Sequence, residues 1–336
     1  MTTKGIRERT GNRVALGLAV VLLAAALGCR KSGGGAPGES TAAPAKVTLA
    51  LNWVPEPEFG GFYAAREAGD YKQRGLDVEI LGGGAGSPVL QMVATGRADF
   101  GTVGADELVM GRTRGTDVVA VFASFQTSPQ GIMTHGERGF ATISDVFHGG
   151  TLAIETGLPY AAFLKKKFSW EGVKVVPYDG GVARFLTDPT FAQQCFVTSE
   201  PLAAKRKGTT PKVFLVADAG YNPYATVIVT SRKFLREKPA LVRAFAQASQ
   251  AGWRRYVDDP AATNAMLTRL NPSMDAASMN DAAVAQKPLV ETAASKAHGL
   301  GSMDRARWDV LADQLLDLKL IDQKPPVDEL FANVLD

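Results

Sequence analysis

The stretch Arg97-Ala98-Asp99-Phe100-Gly101-Thr102-Val103 decides how this chain folds. Residues 98–103 read as a short strand, residues 106–114 as a helix behind it, and Val118–Phe125 as a second, strongly apolar strand. Upstream, residues 47–51 read as a strand bounded by Pro/Ala before it and Asn-Trp after it. A helix over 60–72, a strand over 75–80 and a helix over 88–95 follow, with Ser87 as N-cap and Pro88 in the first helical position. Strands and helices alternating at this spacing predict an α/β fold, a mostly parallel sheet with helices on both faces.

The pattern then restarts. Residues 151–155 read as a strand, 159–168 as a helix, and 173–178, 194–198 and 212–217 as further strands. After a strand over 226–229 the chain turns helical at 239–256, 260–270, 281–287 and 304–318. One core does not usually cover this much chain, so two lobes are expected. Lobe 1 takes residues 46–128 and 225–336 and lobe 2 takes 129–224, with crossings near Ser128 and Tyr224. Ligands in such folds sit at the carboxyl ends of the strands, here in the cleft between the lobes.

The amino end carries an export address. Lys4, Arg7, Arg9 and Arg13 precede an apolar run over 14–27, of signal-peptide length and short for a membrane span. Ala26-Leu27-Gly28-Cys29 resembles a bacterial lipobox, which makes residues 1–28 a lipoprotein signal peptide and Cys29 the lipid-bearing residue. Residues 29–45, rich in Gly, Ser, Ala and Pro, read as a flexible tether. The expectation is an exported protein, lipid-anchored to a bacterial membrane. Without residues 1–28 the chain holds 33 basic and 33 acidic residues, which gives no case for nucleic acid. Cys195 is then a lone thiol, read as buried and structural. His135, His148 and His298 show no metal-ligand spacing, no nucleophile elbow appears, and Lys165 to Lys167 read as a solvated helix face.

Leu51-Asn52-Trp53-Val54-Pro55, Phe62-Tyr63-Ala64-Ala65, Gly75-Leu76-Asp77-Val78 and Thr198-Ser199-Glu200-Pro201 accompany the opening stretch at fixed intervals. Together they resemble the family that joins periplasmic binding proteins for thiamine-pyrimidine precursors and riboflavin with the fungal thiamine-pyrimidine synthase. The resemblance implies a two-lobed, type 2 periplasmic binding protein fold and a small-molecule solute. It further implies an ABC permease and its ATPase as partners, a monomer, and no cofactor. Asp99-Phe100-Gly101 is shared with sulfonate and nitrate binders, so those solutes stay open, as does a sensing role. The synthase branch needs a Lys for pyridoxal phosphate and a His four residues on, where this chain has Val103 and Glu107. Its cysteine run is replaced by Tyr221-Asn222-Pro223-Tyr224-Ala225. Val forms no Schiff base and Glu supplies no imidazole, so the chain is expected not to be an enzyme.

Candidate binding residues follow from both readings. Asn52 and Trp53 end the first strand, where the indole either stacks on a planar ring or packs into its own lobe. Glu58, in a loop stiffened by Pro55 and Pro57, either accepts hydrogen bonds from a ligand amine or faces solvent; Phe59 and Tyr63 would serve as walls. Gly84 and Ser87 belong to a Gly-rich run before a helix, either an oxygen-binding loop or a flexible turn. Thr156, Gly157 and Tyr160 form the counterpart turn in lobe 2. Glu200 matches a family acid that faces the ligand, or else serves the dipole of its own helix. Tyr178, Tyr221 and Tyr224 flank the crossings and can close over a ring. A planar, amine-bearing heteroaromatic, pyrimidine precursor or flavin, fits this set.

Overall fold

The computed structural model describes residues 43–335, so the expected signal peptide, Cys29 and most of the expected tether lie outside the described residues. Ten strands form: β1 Ala45–Ala50, β2 Leu76–Leu81, β3 Phe100–Val103, β4 Val118–Phe125, β5 Gln130–His135, β6 Gly150–Ala153, β7 Val173–Val176, β8 Phe191–Phe196, β9 Pro211–Leu215 and β10 Ala225–Ser231. They build two five-stranded sheets, ordered β2-β1-β3-β10-β4 and β7-β6-β8-β5-β9. In each, the three strands on one side pair in parallel, and one reversed strand, β10 or β5, is inserted before the last. The architecture is the expected two-lobed α/β one.

Sequence pattern explains the strand environments. All eight residues of β4 are buried, as a run that is apolar but for Ser124 demands. In β2, Leu76 and Val78 are buried while Asp77 and Glu79 are exposed, the period-two signature of a sheet with one wet face. The expected strands form with ends shifted by one to three residues. An unexpected one, β5, opens on Gln130-Gly131, where the glycine lets β9 come close: a Cβ there would stand 2.9 Å from Val213.

The helices of lobe 1 are α1 Gly60–Glu67, α2 Val89–Ala94 and α3 Ala105–Thr113; those of the second sheet are α4 Pro159–Lys167, α5 Ala183–Thr187 and α6 Glu200–Arg206. The tail adds α7 Arg232–Glu237, α8 Pro239–Asp258, α9 Ala261–Leu270, α10 Ala276–Val290, α11 Ala293–His298 and α12 Arg305–Asp317. Helix α1 stops at Glu67 rather than 72, because Gly69 takes a positive φ of 77° and lets Tyr71 turn inward to meet Ser249 at 2.9 Å. Ser87 is not the N-cap of α2; its hydroxyl accepts from Gly84 N at 2.8 Å instead. Helices α1 and α8 touch backbone to backbone, since a Cβ on Gly252 would lie 2.2 Å from Gly61 O. Phe62 and Trp253 meet edge to face beside them, ring centroids 5.7 Å apart.

The tail returns to sheet 1 and covers its edge. Ala120 N donates to Leu330 O at 2.9 Å and Ala332 N to Ala120 O at 2.8 Å, so β4 is not left as an open edge. The two stretches of chain that join the sheets are themselves tied together, Ser128 N donating to Asn222 Oδ1 at 2.8 Å. Arg307 of α12 grips both, through Gln126 O at 2.6 Å and Asn222 O at 2.8 Å. Lys166 pairs with Asp317 and Lys167 donates to Ala219 O, so these two lysines serve contacts between elements rather than solvent alone.

Candidate functional site

Beyond β1 the chain crosses the carboxyl end of the first sheet as a pinned strap. Asn52 N donates to Thr102 Oγ1 at 2.9 Å, and that hydroxyl donates to Asn52 Oδ1 at 2.7 Å. Gly83 N donates to Trp53 O at 2.9 Å, and Gln286 Nε2 of α10 donates to Pro57 O at 2.8 Å. A Cβ on Gly83 would stand 2.0 Å from Leu51 O, so only glycine allows these two backbones to run so close. With Pro55 and Pro57 limiting its freedom, the strap presents Trp53, 42% exposed, and the half-buried Glu56 and Glu58.

The second sheet supplies Glu200 at the start of α6. Its Oε1 accepts from Tyr178 OH at 2.6 Å and its Oε2 from Phe196 N at 2.7 Å, so a lone pair remains on each oxygen for a further donor. Beneath it, Gln194 Oε1 accepts from Tyr160 OH and from Glu155 N, each at 2.7 Å.

These carboxyl groups share one electrostatic field. Burial, then Glu56 and Glu200, push the Glu58 carboxyl up to about 8. Burial is also the first cause of the rise of Glu56 to about 7, opposed by a hydrogen bond from the Trp53 side chain, raised by Glu200 and opposed again by Asn271. None of the groups that perturb them is a Lys or Arg. A second acidic pair opens α3: Asp106 accepts from Tyr221 OH at 3.1 Å and is raised by burial, and Glu107 is raised to about 7 by burial and then by Asp106. Among the described residues, no group of three or more His, Cys, Asp or Glu is placed to hold a metal ion, and no helix is long and apolar enough to cross a membrane.

Of the expected residues, Trp53, Glu58, Tyr178 and Glu200 come into one neighbourhood, with Asn52 fixed at its base. Glu56 was missed. Its signal was the spacing Pro55-Glu56-Pro57-Glu58, two acids on one stiffened turn. Phe59 and Tyr63 are 0% and 1% exposed, in the lobe 1 core rather than on a cleft wall, because Phe59, the N-cap of α1, and Tyr63, within α1, pack into the cluster that holds Phe245 and Trp253 of α8. Tyr224, 3% exposed, is a packed residue rather than a lid, its OH accepting from Asp304 N at 2.8 Å and its ring 3.7 Å under the Arg307 guanidinium. Gly84 N is occupied by Ser87, Tyr160 is buried against Gln194, and Thr156 and Gly157 are exposed on the turn into α4.

Comparison with known proteins gives these arrangements a context. The family described as NMT1/THI5 like matches residues 56–263. The riboflavin-binding protein RibY of Chloroflexus aurantiacus is 24% identical, covering 87% of this chain and 89% of that one. The formylaminopyrimidine-binding protein of Halalkalibacterium halodurans is 20% identical over 86% and 90%. Relatives also include a 4-amino-5-hydroxymethyl-2-methylpyrimidine phosphate synthase of Legionella pneumophila, 21% identical over 86% and 91%. In structure, the periplasmic aliphatic sulphonate binding protein SsuA of Escherichia coli superposes with a TM-score of 0.66 at 12% identity, covering 85% of this chain and 92% of that one.

Proposed function

Since the chain belongs to the NMT1/THI5-like family, we propose that it is the solute-binding lipoprotein of an ABC importer, capturing a planar heteroaromatic such as a thiamine-pyrimidine precursor or a riboflavin-like ring. The observation that carries this reading is the convergence of Trp53, Glu56 and Glu58 from one lobe with Tyr178 and Glu200 from the other. An exposed indole supplies a flat face, and carboxyl groups supply acceptors for ring amines. RibY and the formylaminopyrimidine-binding protein, relatives along most of their length, support the solute class. The lobes, divided near Ser128 and Tyr224, close over the solute and present a joined surface to the permease. Cys29 carries the lipid that holds the protein at the membrane.

Two other readings fit less well. A sulfonate binder wants a cation in its cleft, and the acids here have none among their perturbing neighbours. A synthase wants the Lys and His whose places are taken by Val103, buried at the end of β3, and Glu107. The test is a thermal-shift screen of the purified protein against hydroxymethyl- and aminomethyl-pyrimidines, thiamine, riboflavin, and alkyl- and arylsulfonates. A shift with a pyrimidine or flavin that is lost in Trp53→Ala and Glu200→Ala is expected. A shift with sulfonates alone would overturn the solute class.

A further inference from the structure

We infer that the solute is a flat ring carrying a net positive charge, held by the carboxyl groups of Glu56, Glu58 and Glu200 with Trp53 against its face; this rests on the solute-binding reading above. Three carboxyl groups from two lobes stand in one field, and Arg66, Arg255, Lys287 and Asp281, on α1, α8 and α10, are engaged elsewhere. On α1, Arg66 pairs with Glu67 at 2.9 Å. On α8, Arg255 lies 3.4 Å from Asp70. On α10, Lys287 donates to Val257 O and lies 3.4 Å from Glu291, while Asp281 is taken by Arg206 of α6 at 2.6 Å. Tyr178 already donates to Glu200, and the buried Tyr160 and Cys195 stand in the field of Glu200 as well, both pushed up first by burial, so neither supplies a cation.

A buried amide points the same way. Gln286, 1% exposed, spends its Nε2 on Pro57 O between the two glutamates and leaves its Oε1 with no donor. The strap thus holds a buried acceptor whose donor is not among the described residues. An anion here would meet only negative or neutral groups. A neutral ring would give the half-buried Glu58 no counter-charge, and would offer only ordinary hydrogen bonds. A cation does more: it lets buried carboxyls ionise against it, makes charge-assisted bonds across both lobes, and gains from the indole face. The gain exists only when both lobes are engaged, so it favours the closed state.

Binding then displaces protons. In the free protein Glu58 and Glu56 hold theirs up to about 8 and about 7, so affinity for a cation rises with pH across that range and falls below it.

Two ring-matched probes that differ in charge decide the matter. Calorimetry of the purified protein at pH 7.5 compares 4-amino-5-aminomethyl-2-methylpyrimidine, charged through its ammonium, with its neutral 5-hydroxymethyl counterpart. The expected result is tighter binding of the aminomethyl compound by on the order of tenfold, with an enthalpy that varies with the buffer's own ionisation enthalpy because protons are released. Glu56→Gln and Glu58→Gln should each shrink the preference to within about threefold, with thermal unfolding at pH 4 unchanged to report an intact fold. Equal or tighter binding of the hydroxymethyl compound, binding of riboflavin alone, or a preference that survives both substitutions would overturn the charge inference and leave the solute-binding reading standing. Absence of binding by any ring would overturn both.

Discussion

Glu58→Gln isolates the energetic consequence of crowding acids onto the strap. The folded protein holds the Glu58 proton up to about 8, against 4.5 for a free side chain. A carboxyl raised in this way favours the unfolded chain as pH climbs, because the unfolded chain gives up its proton first. At 1.36 kcal/mol per pH unit, the full cost above pH 8 would be about 5 kcal/mol. Glu58 is only half-buried and shares its field with Glu56 and Glu200, so we expect roughly half, about 2 kcal/mol. Glutamine has the shape of the protonated acid and no charge to desolvate. At pH 4, where the folded and the unfolded chain both hold the Glu58 proton, the variant and the parent should therefore unfold together, within about 0.5 kcal/mol. At pH 9 the variant should be more stable by about 2 kcal/mol, or about 4 °C in Tm for a chain of this size. Thermal and urea unfolding at pH 4, 6 and 9 measure the difference, with about half of it present at pH 6, and groups that titrate in both proteins cancel. A variant that tracks the parent at every pH, or that is weaker at pH 9, would refute the reasoning.

Further perturbations separate the site from the frame. Trp53→Ala should leave Tm within about 2 °C, since the indole is 42% exposed, while weakening solute binding at least about tenfold by calorimetry. Tyr224→Phe removes the acceptor of Asp304 N and should cost about 1–2 kcal/mol in urea unfolding without removing the ring from Arg307. Gly252→Ala drives a methyl into Gly61 O and Ala65 and should destabilise by about 3 kcal/mol, whereas Gly157→Ala, with nothing within 4 Å, should change unfolding little. Cys29→Ser should move the exported protein from the detergent phase to the aqueous phase on detergent partitioning; unchanged partitioning would refute the anchor.

The sheets were legible because their signals are local. Val118–Phe125 is apolar but for Ser124 and ran as read, and Leu76–Leu81 alternates and ran within one residue of its reading. What escaped was set by distant partners. β5 is a strand because β8 and β9 flank it, while its own Gln-Gly opening after Pro129 reads as a turn. Trp53, Glu58 and Glu200 were legible as strand-end residues, since a fold with a strand-end cleft gives such positions a function. Phe59 and Tyr63 sit only one and five residues beyond Glu58, yet the start of α1 and the residue that caps it pack under α8. No local pattern separates the residue that faces the cleft from the one that faces the next helix when the packing partner is nearly two hundred positions away. Glu56 escaped for the opposite reason: the acids were read singly, and only the folded strap puts 56 and 58 in one field with Glu200.

The place of β10 has a consequence for the order in which the chain assembles. In the first sheet β4 pairs with β10, and β10 alone joins it to β3. β10 is made only after the whole of the second sheet, whose own inserted strand, β5, is the first of that sheet to appear. The second sheet thus has all its strands once residue 215 is available, whereas the first, begun at residue 45, stays split until residues 225–231 arrive. The part that starts last is complete first, and the lobe carrying the amino end closes around a neighbour that is already built.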